Sequence, residues 1–569
     1  MDHRILPLYD RALSSRNDGY GTGEILGKKF KIWQSRSADV PASYQDLTQV
    51  IKANRRFHSI DQLQYGNHGL ADAVATVIRA IRNGKRIALY ADYDVDGTMS
   101  CVSWIWFLRA CGYENFTYYI PCRFEEGYGL NMQAMEYLIE EQRAELIITM
   151  DTGITANEEA AYCQSRGVEF ICTDHHKVQI DKMPDCVILN PKFHPDEEYQ
   201  ELCGCGITFV LLRKLASELP ISADVWTDIL ALVGMATICD VVPLNSVNHR
   251  LANLGVSALL RSRRPVLRRL REACSLMESL DEKDVGFRIG PRINAVGRLR
   301  HARSVIEAFV GDNPEPLIQY MGECNEERKM IQKRIVDEAM QAAEAYKDEP
   351  VLFLGGDWHP GVVGIAASKV AERFWKPTWL FQRNGDGCKG SARSIPGFDV
   401  TEVMGVAGHL FDKFGGHKAA AGYSFALEQE EAIRAELSRE ASRLRQEQPD
   451  IWQSKIAFDC EIPLALTELD LAESLERLKP FGHGFEEPLF CLEAPIKQVR
   501  FYRDKLTGEP RHTAVTIQRH DGREQKIMYF NEVFEELEFM SQARFLVSAG
   551  KNHFRGETHL SLIGRDWDQ

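Results

Sequence analysis

The alternation of apolar and polar positions changes character along the chain. Residues 1–60 are mixed and polar without a sustained period, and they predict only an N-terminal accessory segment, drawn as residues 1–64. From residue 71 an amphipathic pattern (Ala71 to Arg82) is followed by a short apolar run (Arg86 to Ala91), a helical stretch (Met99 to Cys111) and a second run (Phe116 to Pro121). This succession predicts alternating helices and strands. The runs Ala144 to Met150 and Val168 to Thr173 are bounded by acidic or glycine punctuation. They suit strands buried on both faces of a mostly parallel sheet. Residues 65–312 are therefore expected to form an α/β domain.

Asn325 to Tyr346 holds good helix formers, abundant charge and no glycine or proline. It predicts one long exposed helix linking two domains, within a connector at residues 313–347. A second α/β unit, residues 348–450, opens with Val351-Leu352-Phe353-Leu354 and continues through a glycine-rich stretch ending at Gly422. Beyond Lys455 the period becomes two, as in Thr513 to Gln518 and Phe545 to Gly550, with Asp521-Gly522 and Arg555-Gly556 as turns. Residues 451–569 predict a small β-barrel.

Composition narrows the picture. A chain of 569 residues calls for several domains, and 44% hydrophobic with 26% charged positions is an ordinary globular balance. No apolar run reaches bilayer length, and Met1-Asp2-His3-Arg4 has no secretory character, so a cytoplasmic monomer without membrane contact is expected. Fourteen scattered cysteines without a CxxC pair predict reduced thiols. The net charge of −14 excludes broad adhesion to nucleic acid, so any such contact must be local. The run Arg261, Arg263, Arg264, Arg268, Arg269 and Arg271 is one candidate, and a solvated helix face explains it equally well.

The sharpest chemical feature is Asp92-Tyr93-Asp94-Val95-Asp96-Gly97, with carboxylates at every second position directly after a predicted strand. Extended spacing would point them to one side. Such crowding is costly unless a cation neutralises it. A calcium loop of EF-hand type would need glutamate at its twelfth position, where Ser103 stands. Asp151, Asp174 and Asp240 each follow a predicted apolar element, and strand ends of an open α/β sheet share one crevice. Any one of them alone is better explained as a helix cap, and together they favour a site. His175 and His176 follow Asp174 directly, so one can ligate metal while the other faces substrate. Carboxylates with an imidazole favour Mn2+ or Mg2+ over zinc. Two such ions roughly 4 Å apart, sharing a carboxylate, would support water attack on a phosphate ester.

The DYDVDG, Asp151-Thr152-Gly153, Asp174-His175-His176 and Asp240 motifs, in this order, resemble the DHH phosphoesterase superfamily. Gly415-Gly416-His417-Lys418-Ala419-Ala420-Ala421-Gly422 resembles the signature of the DHH-associated domain. Arg123 to Leu130 (RFEEGYGL), Gly290 to Arg298 (GPRINAVGR) and the long helix resemble the RecJ-like branch, whose members are single-strand-specific 5′-to-3′ exonucleases. The resemblance implies two α/β domains, DHH and DHH-associated, joined by the helix, and a C-terminal barrel of OB-fold type. It implies release of 5′-mononucleotides from single-stranded DNA threaded between the α/β domains, in DNA repair and recombination, with a single-strand-binding protein or a helicase as candidate partners. The rival readings are a phosphodiesterase of short oligoribonucleotides or cyclic dinucleotides, and a non-catalytic scaffold that binds single-stranded DNA.

By the same resemblance Asp94, Asp96, Asp151, His175 and Asp240 bind two Mn2+ or Mg2+ ions, with Asp151 as the bridge and Asp92 and Asp174 in support. His176 would contact the scissile phosphate, its role as a metal ligand remaining open. Arg298 is the candidate phosphate clamp, against a structural salt bridge. Arg123, Ser391 and Arg393 are candidates for the strand's 5′-terminal phosphate, with capping and surface pairing as the alternatives for the last two. Gly415, Gly416 and His417 would form a glycine-rich turn against the nucleotide. Phe501, Tyr502, Arg503, Lys505 and Arg511 could grip the strand at the barrel's edge, unless the aromatics are core. Four departures stand out: Tyr90 takes a position that some DHH enzymes give to histidine, Thr152 replaces the expected asparagine or cysteine, and Cys122 and Cys203-Gly204-Cys205 are unusual for the branch.

Overall fold

The computed structural model describes residues 28–30, 32–60, 69–505, 507–519 and 521–569. Residues 1–27 and the 64/65 boundary of the expected accessory segment lie outside the described residues. The chain divides into two units, one of residues 59–331 with 482–485, the other of residues 1–58, 332–481 and 486–569. The described segment before residue 58, including strand β1 (Ile32–Ser35), belongs to the latter.

The first unit is built on five parallel strands: β2 (Ile87–Ala91), β3 (Phe116–Tyr119), β4 (Leu146–Met150), β5 (Glu169–Thr173) and β6 (Val187–Leu189). Their spatial order is β3-β2-β4-β5-β6. Every residue of β2 and β4 is buried, which is why both read as unbroken apolar runs. The order reverses between β2 and β4, so the crevice beyond their carboxyl ends lies at a switch point. Asp92 directly follows β2 and Asp151 directly follows β4.

The helix expected from Met99 begins at Val95, with Asp94 as its N-cap, and runs to Ala110. It is buried nearly all round and packs against the Gly204–Leu215 and Ala223–Cys239 helices. The long helix spans Glu315–Glu344, starting well before Asn325. Pro316 is harmless in a first turn, and the buried side chains of Met321 and Cys324 beside Gly322 carry the helix through it. The expectation of a wholly exposed helix is corrected, because Ile318, Met321, Cys324, Ile335, Ala339 and Ala343 form a buried stripe.

In the second unit, β7 (Leu352–Gly356) and β8 (Thr378–Asn384) pair in parallel, and β9 (Gly387–Arg393), β10 (Lys413–His417) and β11 (Ala420–Ala426) complete a mixed sheet in the order β10-β11-β9-β8-β7. The helix Pro360–Phe374 packs on β8 and β9. Further on come β12 (Lys455–Phe458), β13 (Cys460–Glu461), β14 (Phe490–Arg503), β15 (Pro510–Gln518), β16 (Glu524–Tyr529), β17 (Gln542–Phe554) and β18 (Glu557–Asp568). The ring β14-β15-β16-β18-β17 closes through pairing of β14 with β17, so a five-stranded barrel forms with no free edge inside the ring. β1 pairs in parallel with β12. All fourteen cysteines are free thiols. No helix among the described residues is long and apolar enough to cross a membrane.

Candidate metal centre

The acidic motif is a strand end running into a helix start. Asp94 caps the helix, its Oδ1 accepting from the amides of Asp96 (2.8 Å) and Gly97 (3.1 Å). Asp96 already lies in the first helical turn. The expectation that extended spacing points all three carboxylates one way is therefore corrected: the backbone turns helical between Asp94 and Asp96, and the motif splits. Ligand atoms of Asp92, Asp94 and Asp151 lie within 4.8 Å of one another, and those of Asp96, His175 and Asp240 form a second group of the same tightness. Asp151 also groups with His175 and His176, so it belongs to two clusters.

His175 is the hub of the second cluster. Its Nε2 lies 3.1 Å from Asp151 Oδ1, 3.5 Å from Asp240 Oδ2 and 3.9 Å from Asp96 Oδ2. Asp240 arrives from the end of the Ala223–Cys239 helix, as its C-cap. Asp151 has φ +61°, a left-handed conformation that costs a non-glycine residue free energy and often marks a functional position. Asp174 accepts from Ile154 N (2.9 Å) and from His176 Nδ1 (2.7 Å). It stands behind the cluster and orients His176. The hydroxyl of exposed Tyr128 lies 3.1 Å from the His176 ring nitrogens.

Electrostatics set this pocket apart. Burial, with repulsion from Asp94 next, pushes Asp92 up to about 8 and Asp96 up to about 6. Burial and the neighbouring carboxylates hold Asp151 and Asp240 well above the ordinary range. Asp174 goes the other way: burial opposes its ionisation, but the His176 hydrogen bond and charge outweigh it. Burial would lower His176, and Asp174 more than compensates, raising it above the usual histidine value. The buried oxygens Asp92 Oδ1 and Asp151 Oδ1 accept no hydrogen bond. Uncompensated buried charge of this kind is strongly unfavourable without a counter-ion. The nearby thiols of Cys203, Cys205 and Cys239 are pushed up by burial and stay protonated, so the available donors are hard oxygens and imidazoles. This donor set fits Mg2+ or Mn2+.

The other predicted residues fall into two groups. Arg123 stacks its guanidinium 4.3 Å over the Tyr93 ring, within the acidic motif, and its charge lowers Asp92. Arg298 ends the Gly290–Leu299 helix, which is fastened to the same motif: Asn294 Oδ1 accepts from Val95 N (3.2 Å), and a side chain at Gly297 would come within 2.8 Å of the Tyr93 carbonyl. Ser391, Arg393, Gly415, Gly416 and His417 belong to the second unit. There Arg393 Nη1 donates to Ser391 Oγ (2.5 Å), and the pair borders Gly364 near the start of the Pro360–Phe374 helix. The expected glycine-rich turn is corrected: Gly415, Gly416 and His417 lie in edge strand β10, in register with Gly422, Ala421 and Ala420, and only Lys418-Ala419 turns. Residues without bulky side chains let the two strands of this hairpin pair closely.

Of the arginine run, Arg264 pairs with Asp228, Arg268 and Arg269 with Glu272, and Arg271 is buried against the Leu260 and Ser262 carbonyls, which favours the structural reading for these four. Tyr90 is buried and donates to the Gly129 carbonyl (2.9 Å), and Thr152 is buried too. At the barrel, Tyr502 is 44% exposed, so it is not core, whereas Phe501 is half-buried.

Sequence reasoning missed the backbone donors. The amides of Gly204 and Cys205 bond Asp96 Oδ2 (2.6 Å) and Oδ1 (2.7 Å). The only signal was the unusual Cys203-Gly204-Cys205 itself. Tyr93 and Tyr128, edge-to-face at 6.5 Å, were also missed, though both lie inside quoted motifs.

Comparison with known proteins agrees with this architecture. Residues 86–237 match the DHH family N-terminal domain, 348–443 the DHHA1 domain and 458–566 the RecJ OB domain. The chain is 31% identical over 518 residues to the single-stranded-DNA-specific exonuclease RecJ of Salmonella typhimurium, covering 85% of this chain and 88% of that one. Against the Escherichia coli protein of the same name it is 30% identical, with the same shares covered. The crystal structure of Thermus thermophilus RecJ in complex with Mn2+ superposes with a TM-score of 0.81 at 25% identity, covering 94% of this chain and 79% of that one.

Proposed function

We propose, from the premise that the chain belongs to the RecJ family of DHH phosphoesterases, that it hydrolyses single-stranded DNA from the 5′ end and releases 5′-mononucleotides. The observation that carries this reading is the convergence of Asp92, Asp94, Asp96, Asp151, His175 and Asp240 at a switch point, with buried oxygens that no donor satisfies. Asp92, Asp94 and Asp151 would hold one cation and Asp96, His175, Asp240 and Asp151 a second. When bound, such ions acidify water and offset the charge that develops on phosphate oxygens.

The chain's own residues supply the rest. His176, whose protonated form the Asp174 carboxylate favours, would donate a hydrogen bond to a phosphate oxygen. Arg298 offers a planar fork to the same group. Arg123 and, separately, Ser391 and Arg393 are our candidates for binding a terminal 5′-phosphate, each taken from the family resemblance. Gly415, Gly416 and His417 would contact the nucleotide along a strand edge. In the reaction the oxygen of water bonds to phosphorus, the bond from phosphorus to the 3′-oxygen breaks, and the 3′-oxygen takes up a proton. The freed nucleotide carries a 5′-phosphate, and the strand left behind carries a new one. The barrel, through Tyr502 and its neighbouring arginines, would grip the strand by stacking and charge. We place the enzyme in the cytoplasm, in DNA repair and recombination.

Digestion of strands labelled at either end, with and without a 5′-phosphate, tests the proposal. Mn2+- or Mg2+-dependent release of mononucleotides from the 5′ end is expected. Release only from dinucleotides, release from the 3′ end, or binding without turnover would overturn it.

A further inference from the structure

Asp96 is held by the backbone of a second helix through both of its oxygens. It is 1% exposed, and each of its oxygens accepts a backbone amide from the first turn of the Gly204–Leu215 helix, at 2.6 Å and 2.7 Å. Backbone donors cannot swing away as side chains do, and the positive end of a twelve-residue helix favours a carboxylate there. The fit is tight around Gly204: a Cβ at this position would stand 2.7 Å from Asp151 Cβ, 3.0 Å from Asp151 Cα and 3.1 Å from Asp96 Oδ2. One residue thus touches a carboxylate of each cation cluster, and it must lack a side chain to do so. A Cβ at Gly206, in the same helix, would meet Leu202 (Cδ2 at 3.2 Å, Cβ at 3.5 Å) and Cys203 Sγ at an ordinary contact distance of 3.8 Å, and neither aspartate.

We infer that Gly204, with the amide of Cys205, is a positioning element of the metal centre: it fixes the orientation of Asp96 and its spacing from Asp151, and so sets cation affinity. With both oxygens already engaged by amides, Asp96 can present only its remaining lone pairs toward His175 and Asp240. Any side chain at 204 would push Asp96 and Asp151 apart without touching substrate. The inference rests on the reading of these aspartates as cation ligands, and its test uses Mn2+ alone, without DNA.

The measurement is the Mn2+ concentration that half-maximally raises the melting temperature of the full chain. Gly204→Ala is expected to raise that midpoint by about tenfold or more, the usual scale for disturbing a group that orients a ligand. Gly206→Ala should stay within about twofold of wild type, as expected for a substitution that disturbs no ligand-orienting group. With DNA present, Gly204→Ala should lower kcat and leave KM for the strand unchanged. An unchanged Mn2+ midpoint in Gly204→Ala would overturn the inference. Should that variant not fold, replacing the amide of residue 205 by an ester removes one donor and adds no bulk. A raised midpoint there supports the assignment, and a wild-type midpoint refutes it. A wild-type chain that binds Mn2+ yet frees no nucleotide would refute the exonuclease reading and leave this inference standing.

Discussion

Asp566 in the barrel and Asp151 beside the parallel sheet are both buried carboxylates, at 0% and 2% exposure, and they sit in opposite surroundings. Around Asp566, Oδ1 accepts from the amides of Lys29 (2.8 Å) and Trp567 (2.9 Å), and Oδ2 from the Phe30 amide (2.9 Å) and the Trp33 indole (2.7 Å). Every one of these donors is fixed, so the charge fastens the N-terminal segment to the barrel. Around Asp151 there are carboxylates and imidazoles, and Oδ1 accepts no hydrogen bond. A buried charge ringed by donors is a fastening; a group of buried charges short of donors is a fold held ready for a cation.

Substitutions should separate the two kinds of site. The largest effect is expected from Asp151→Ala, which should lower nucleotide release by about a thousandfold or more. The metal-free melting temperature should not fall, because a repelled carboxylate has been removed, and a thermal scan beside the nuclease assay checks both. Asp566→Ala should do the reverse. Stripping the acceptor from four donors, two of them buried and two part-buried, should cost about 3 to 5 kcal/mol of stability, read by denaturant unfolding, with kcat per folded molecule unchanged. A stable but slow Asp566→Ala would break the comparison.

The pH dependence sharpens it further. Burial, with the Asp94 carboxylate next, pushes Asp92 up to about 8 and Asp96 up to about 6 in the metal-free fold, against about 3.9 for an aspartate in water. Over that window the fold binds more protons than the unfolded chain. The stability these groups contribute is present in acid and is lost as the pH rises through about 6 and then about 8. The metal-free melting temperature should therefore fall more steeply across this range than that of the same protein in saturating Mn2+. Parallel curves would mean that the cation does not discharge these groups. The smallest effect is expected at the barrel surface, where Tyr502→Ala should weaken strand binding by about 1 kcal/mol and leave kcat alone, as measured by fluorescence anisotropy and steady-state kinetics.

The two regions also differ in how well the sequence foretells them. Strands β2 and β4 are buried at every position and β5 at all but its first, so these three are legible within a residue or two, and the aspartates after them stand out. What the sequence hides is which carboxylates meet. Alternate spacing suggests one face, but helix formation at Val95 sends Asp96 to His175 and Asp240 and leaves Asp92 and Asp94 with Asp151. The amides that hold Asp96 carry no side-chain signature, because any residue but proline has one. In the second unit, Gly415 to His417 look like a turn from their composition, and it is pairing with the adjacent strand β11, itself bound to β9, that makes them an edge strand. Gly322 likewise obscured the start of the long helix, since local propensity does not register that buried neighbours on either side carry it through.

The most direct test of the centre is a count of bound Mn2+ by electron paramagnetic resonance, for the wild type and Asp151→Ala near neutral pH. The wild-type chain should bind two ions tightly, and the variant should lose at least one of them with its secondary structure intact. Equal binding by both proteins would contradict the claim that Asp151 stands between two cations.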